Sequence, residues 1–190
     1  ARYSAENFTI EEMKTWVDYC HLYGVDVHVT VNTLVKEKEI ESLKEYLKQL
    51  NKIGVDALIV QDMGAVEIIK KTVPDMTLHA STQMTVTSLE GVKYLENMGF
   101  SRVVLARELS EKEIEHICKN AKAEIEVFVH GAICMCYSGQ CLMSSILGGR
   151  SGNRGRCAQP CRLPYDLLEN GKTVKSGYVL SCLLYTSDAA

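Results

Sequence analysis

Gly54-Val-Asp-Ala-Leu-Ile-Val-Gln-Asp62 decides the fold of this chain. A glycine closes a helical stretch, the short apolar run Ala57 to Val60 follows, and two polar residues, Gln61 and Asp62, end it before the next helical stretch. A run of this length and composition, bounded by turn residues, reads as a buried strand. The same unit recurs on both sides. Val25-Asp-Val-His-Val-Thr-Val31 alternates apolar and polar residues, Val103-Val-Leu-Ala106 and Ile125-Glu-Val-Phe-Val129 are short β-branched runs, and Thr77-Leu-His79 is a weaker one. Helical spacing fills the intervals Glu11 to Tyr23, Glu37 to Ile53, Ala65 to Thr72, Ser88 to Met98 and Ser110 to Asn120. Thr9 ahead of Glu11 and Glu12, and Ser110 ahead of Glu111 and Glu113, mark helix starts. Gly24, Gly54 and Gly99 stand where a left-handed helix cap belongs. Five strands alternating with helices predict an α/β fold with a parallel sheet, closed as a TIM-like (β/α) barrel or left open.

The residues after each strand favour the barrel. Asn32 follows the first strand, Gln61 and Asp62 the second, His79, Ser81 and Gln83 the third, Arg107 and Glu108 the fourth, and His130 with Gly131 the fifth. In a barrel all these groups converge on the C-terminal face, where active sites are built. Taken singly, each is equally a cap or loop former; their recurrence at five strand ends is the argument. An open doubly wound sheet is the runner-up, and no Gly-x-Gly-x-x-Gly follows a strand to support it.

Composition bounds the function. With 190 residues, 46% hydrophobic content and a formal charge of −3, the chain can bury a core of its own. The charge announces no nucleic-acid partner, and no apolar run of about 18 residues or leader-like start points to a membrane or to secretion. A cytoplasmic protein is the expectation. Five of the eight cysteines lie together, in Cys134-Met-Cys136-Tyr-Ser-Gly-Gln-Cys141 and, after Gly148-Gly-Arg-Ser-Gly-Asn-Arg-Gly-Arg, in Cys157-Ala-Gln-Pro-Cys161. Soft thiolates among Gly, Ser and Arg suit iron–sulfur or zinc better than a disulfide framework in a chain this size. The spacings of 7, 16 and 4 residues from Cys134 through Cys141 and Cys157 to Cys161 do not reproduce paired zinc knuckles. His130, four residues before Cys134, leaves a protease-like dyad open, though that dyad gives the other thiols no role, and no His-Glu-x-x-His occurs. Cys20 and Cys118 fall in helical stretches and read as small buried residues.

Glu126-Val-Phe-Val-His-Gly-Ala-Ile-Cys134, Tyr137-Ser-Gly-Gln-Cys141-Leu-Met-Ser144 and Gly148 through Arg162 closely resemble the signature of the peptidase U32 family. Arg2-Tyr-Ser-Ala-Glu-Asn-Phe8, Gly54 to Asp62, Leu78-His-Ala-Ser-Thr-Gln83 and Val104-Leu-Ala-Arg-Glu-Leu109 extend the resemblance over residues 1 to 181. It implies a (β/α)8 barrel and two activities: the collagenase-like proteolysis behind the family's name, or oxygen-independent hydroxylation of ribosomal RNA, transfer RNA or a quinone precursor. The hydroxylases carry a 4Fe–4S cluster, and prephenate is implicated for those acting on RNA. The wording of Ile146 to Gly155 and of Cys161 to Tyr165 is nearer the ribosomal-RNA branch.

Residue by residue, the resemblance makes Cys134, Cys141 and Cys157 metal ligands. The family's fourth ligand comes later, beyond a segment like Leu180-Ser181, where this chain departs from the pattern; Cys161 is the nearest substitute and Cys136 a further candidate. Arg150, Arg154, Arg156 and Arg162 form a basic cluster whose guanidinium forks suit a dicarboxylate such as prephenate or RNA phosphate, or else neutralise thiolate charge and pair with Asp and Glu. Asn32, Asp62, His79, Gln83, Arg107 and Glu108 are candidate substrate-binding residues, and His130 and Tyr137 candidate proton-transfer residues. Glycines 148, 149, 152 and 155 allow backbone amides to approach sulfur.

Cys182-Leu-Leu-Tyr-Thr-Ser-Asp-Ala-Ala190 resembles an in-frame translation of a transposase sequencing adapter, which takes Cys182 out of the ligand set. Ala1-Arg2 resembles the loop after the family's first strand. The chain therefore divides into a partial barrel domain over residues 1–165 with its site loop at 134–162, the start of a following segment at 166–181, and a non-native tail at 182–190. The expectation is a truncated barrel, inactive alone, from an iron–sulfur RNA hydroxylase; a U32 peptidase and a structural-zinc RNA-binding module are the alternatives.

Overall fold

The computed structural model describes residues 7–131 and 134–180. Ala1 to Glu6, Ala132, Ile133 and everything from Ser181 onward, including the 182–190 tail, lie outside the described residues. Five helices, α1 (Ile10–Leu22), α2 (Ile40–Ile53), α3 (Met63–Thr72), α4 (Leu89–Asn97) and α5 (Glu111–Asn120), alternate with five strands, β1 (His28–Val31), β2 (Ala57–Val60), β3 (Thr77–Ala80), β4 (Phe100–Val104) and β5 (Glu124–Glu126). The strands are all parallel and lie in the order of the sequence, β1-β2-β3-β4-β5. A doubly wound sheet reverses its strand order partway. No reversal occurs here, so the open-sheet runner-up gives way to an arc of a TIM-like barrel, not closed by the described residues.

The two faces of the arc differ. Val29 pairs in register with Leu58 and Leu78, and Val31 with Val60 and Ala80. Leu58, Val60, Leu78, Ala80 and Val103 join Leu43, Leu47, Leu50, Ile53, Val66, Ile69, Val92 and Ile117 of the helices in one buried core. On α2 the buried Leu43, Leu47, Leu50 and Ile53 recur at helical spacing; each such side chain contributes about 1.5–3 kcal/mol on burial. The alternate register row, Thr30, Ile59, His79, Arg102 and Glu124, occupies the other face and carries charge. Because successive side chains of a strand point to opposite faces, one face is oily and the other polar.

Local signals behave as their chemistry requires. Thr9 and Glu12 exchange hydrogen bonds in a capping box, as do Ser110 and Glu113. Gly24, Gly54 and Gly99 have φ of 66°, 85° and 86° at the helix ends. Cys20 is half-buried, but Cys118 is exposed, against the expectation of burial. The reason is rotational: α5 turns Ile117 and Ile114 to the core, and the next residue faces water. Two further elements follow the barrel arc: a short helix α6 (Met143–Gly148), and an antiparallel hairpin of β6 (Tyr165–Glu169) and β7 (Lys172–Gly177). No helix among the described residues is long and apolar enough to cross a membrane.

Candidate functional site

The loops after β1, β2, β3 and β4 on the C-terminal rim of the arc hold the cysteine-bearing segment 134–162. The anchoring begins at β1. After Asn32 the chain runs through Leu34 and a 3₁₀ turn, Glu37–Glu39. Leu34 N donates to Asn153 O at 2.9 Å. Arg154 donates to Leu34 O and forks onto Glu39, Nη1 to Oε2 at 2.7 Å and Nη2 to Oε1 at 2.6 Å. At β2, Gln61 Nε2 reaches the same Asn153 carbonyl at 3.0 Å. Asp62 caps α3 through Ala65 N and also accepts from Val35 N at 2.8 Å, so it fixes the β1 loop from below.

The β3 and β4 ends hold the first half of the segment. Thr85 Oγ1 donates to Ser138 O at 2.6 Å, and Gln140 Nε2 donates to Thr85 Oγ1 at 2.9 Å. Arg107 Nε lies 3.2 Å from Ser138 Oγ, and Ser138 N donates to Glu108 Oε1 at 3.0 Å. The two halves are tied by Asn153 Nδ2, which donates to Gly139 O at 2.9 Å. On α6 the buried Ser144 accepts from Ala158 N at 3.0 Å, which fixes the backbone beside Cys157.

The thiols share one neighbourhood. Burial pushes the Cys161 thiol up, and Cys134, Cys157 and Cys141 add to the rise while Arg162 opposes it. Burial also raises Cys136, with Cys141 and then Cys134 reinforcing it. Cys134, Cys141 and Cys157 thus act on Cys161, and Cys134 and Cys141 act on Cys136. Gln159, in a left-handed conformation at φ 55°, donates its amide to Cys157 Sγ at 3.3 Å. This is the kind of N–H···S contact that stabilises thiolate charge and tunes a bound metal centre. Among the described residues, no three His, Cys, Asp or Glu side chains are drawn in tightly enough to hold a single ion. The donors themselves are soft thiols, with an amide on one sulfur and Arg162 close by, the chemistry that suits an iron–sulfur cluster.

The other candidates are placed as follows. His79 is 5% exposed and lies on the polar sheet face, its ring edge-on to His28 with centroids 4.7 Å apart. Its Nδ1 is buried without a hydrogen-bond partner, as is Gln83 Oε1. Burial holds the His79 imidazole down at about 4, with Arg102 and His28 adding to the effect and Glu124 opposing it. Arg102 is gripped by Glu124, with Nε to Oε2 at 2.8 Å, and by Glu126. Asn32 and Arg162 are partly buried, while His130, Tyr137 and Arg150 are exposed. No hydrogen bond joins His130 to a thiol among the described residues. Sequence reasoning missed Ser138 and Asn153, the two residues that join the loop to the rim; their only signal is a small polar residue between glycines and cysteines.

A polar rim on a parallel α/β arc, carrying a thiol-rich loop, is the architecture of a barrel-type enzyme. The chain belongs to the peptidase U32 family: the model of Peptidase family U32 matches residues 1–188, reaching into the 182–190 tail. It is 44% identical over 176 residues to the 23S rRNA 5-hydroxycytidine C2501 synthase of Escherichia coli K12, covering 93% of this chain and 26% of that protein. It is 39% identical over 168 residues to tRNA hydroxylation protein P1 of Bacillus subtilis 168, covering 88% of this chain and 40% of that protein. It is 30% identical over 193 residues to a collagenase of Porphyromonas gingivalis W83, covering 94% of this chain and 46% of that protein. The chain thus spans between about a quarter and a half of these relatives. Among solved structures, the U32 peptidase Mk0906 shares the fold, with a TM-score of 0.52 at 22% identity over 62% of this chain and 51% of that one.

Proposed function

We propose that this chain carries the thiol site of an oxygen-independent RNA hydroxylase, with a 4Fe–4S cluster on Cys134, Cys141, Cys157 and Cys161 and prephenate as co-substrate. The observation that supports this reading most is the gathering of thiols on one rim loop in a chain whose relatives include rRNA and tRNA hydroxylation proteins. The cluster supplies one-electron chemistry when bound. The chain's own residues supply the rest. Gln159 N–H stabilises charge on Cys157, and Arg162 lies beside Cys161. Arg150, exposed on the same loop, offers a fork to carboxylate or phosphate, and Arg156 and Arg162 extend that basic strip. Tyr137 and His130, both exposed, are the candidates to move a proton at the rim. Arg154, Arg107, Glu108 and Asp62 act indirectly, as anchors of the loop. Such a protein works on RNA in the cytoplasm.

Anaerobic purification of the full-length protein tests the proposal. About four iron per chain, broad absorption near 400 nm and loss of both on Cys141→Ala are the expected result. Loss of a hydroxylated nucleoside from rRNA or tRNA of a deletion strain, read by mass spectrometry, names the substrate; unchanged nucleosides in both pools would sink the RNA reading. Peptidase action is the second reading, favoured by the collagenase relative. It predicts cleavage of a collagen-like substrate by iron-free protein. Zinc in place of iron would point to the structural-zinc module instead.

A further inference from the structure

Ser138 is 0% exposed, the most deeply buried polar side chain among the described residues, and it stands between Cys136 and Cys141 without being a possible soft ligand. Its surroundings assign each of its bonds. Glu108, as a carboxylate, only accepts, and its Oε2 lies 3.2 Å from Ser138 Oγ, so the serine proton points there. Arg107 only donates, and its Nε and backbone N lie 3.2 Å and 3.4 Å from the same oxygen. Thr82 Oγ1, 3.5 Å away, has its proton on Leu105 O. The serine backbone is held as well, by Glu108 on N and Thr85 on O. The next residue completes the key. Gly139 has φ 73°, and a Cβ there would fall 2.0 Å from Gln83 O, so the loop backbone lies directly on the β3 loop. No other point between Cys134 and Cys141 is fixed from so many directions.

We infer that Ser138 is the positioning residue of the thiol site: through Arg107 and Glu108 it sets where Cys134, Cys136 and Cys141 stand over the sheet rim. The inference rests on the cluster reading for its consequence in iron, but not for its geometry. Ser138→Ala removes the hydroxyl and leaves both backbone anchors, so the sheet keeps its core while the loop loosens. The test uses the full-length protein, purified anaerobically, with circular dichroism to verify the fold. In wild type and Ser138→Ala, iron per chain is measured first. Then, in protein stripped of iron, alkylation of Cys141 is followed against that of the surface thiol Cys118. The expected result is iron content reduced by half or more, with Cys141 alkylation accelerated about tenfold, as when bonds to a charged group are lost and local opening becomes easier. Cys118 should not change. Wild-type iron together with wild-type Cys141 reactivity overturns the inference. If wild type itself holds no iron, the cluster reading fails, and the alkylation ratio alone still decides the role of Ser138. If Ser138→Ala does not fold, Glu108→Gln, which keeps an acceptor for Ser138 N but withdraws the charge, decides by the same two readings.

Discussion

His79 meets His28 edge-on across β2, with ring centroids 4.7 Å apart, and the buried Nδ1 of His79 faces no partner. Burial holds the His79 imidazole down at about 4 against an ordinary 6.5, with Arg102 and then His28 adding to the effect. The sign follows. Between pH 6.5 and 4 the unfolded chain binds the proton and the folded chain does not, so stability falls as pH drops through that window and is unaffected by His79 above it. The drop attributable to His79 is at most roughly 3 kcal/mol. Urea denaturation at pH 7.5 and 4.5 checks it; His79→Gln should flatten the difference, and an unchanged slope would refute the assignment.

Arg154 and Glu39, 115 residues apart, form a two-pronged ion pair that holds the glycine-rich loop to the β1 loop. The guanidinium holds the Glu39 carboxyl down at about 2. Its contribution is therefore complete above the ordinary carboxylate pKa of 4.5 and fades as pH falls toward 2. Lysine cannot reproduce the fork. Arg154→Lys should leave the sheet intact, return the Glu39 titration toward its ordinary range, and speed amide exchange in residues 148–156. Exchange that stays slow would mean that Asn153 alone holds the loop.

Gly139→Ala brings a methyl group against the Gln83 carbonyl and strains a left-handed backbone. The methyl group meets backbone, so no flexible side chain can yield. A loss of roughly 3 kcal/mol in unfolding free energy, read by denaturant titration, is expected, with the loop thiols becoming reactive.

Asp62 serves two amides, Ala65 N as a helix cap and Val35 N as a loop tie. Asp62→Ala should cost about 1–2 kcal/mol, and Asp62→Asn, which keeps one acceptor oxygen but turns an NH2 toward the other amide, should cost less but not nothing. If Asp62→Asn in the full-length protein instead abolishes the proposed hydroxylation without changing stability, the carboxylate also binds substrate.

Much of this architecture was legible beforehand. β2 occupies Ala57–Val60 as read, and β3 starts at Thr77 as read, because short apolar runs between a glycine and a polar pair have few other uses. β1 and β5 are shorter than their sequence runs, since Val25 and Val129 are exposed, outside the paired register. The hairpin at residues 165–177 was overlooked despite its Asn170-Gly171 turn, whose φ values of 50° and 78° are those of a tight primed turn. What no local pattern announces is the partnership of residues far apart. Arg107 and Glu108 were read as facing substrate, yet they face Ser138, some 30 residues on. Arg154 was weighed as a substrate fork or an ion pair, and only the fold supplies Glu39. The thiol segment was found because cysteines cluster in sequence; its anchors were not, because serine and asparagine are common in every loop.

The anchoring of the loop also sets an order of assembly. A chain emerging from its N-terminus completes all five strands by Glu126, with neighbours in sequence pairing side by side. The bonds of Asn153 and Arg154 reach back to Leu34, Glu39 and Gln61, across separations of 92 to 120 residues. Closing loops of that span comes late, after local contacts have already formed. The long-range bonds that hold the cysteine loop are therefore expected to close after the five strands of the arc have paired. Among the described residues, the bonds that hold the thiol loop are the ones of longest reach.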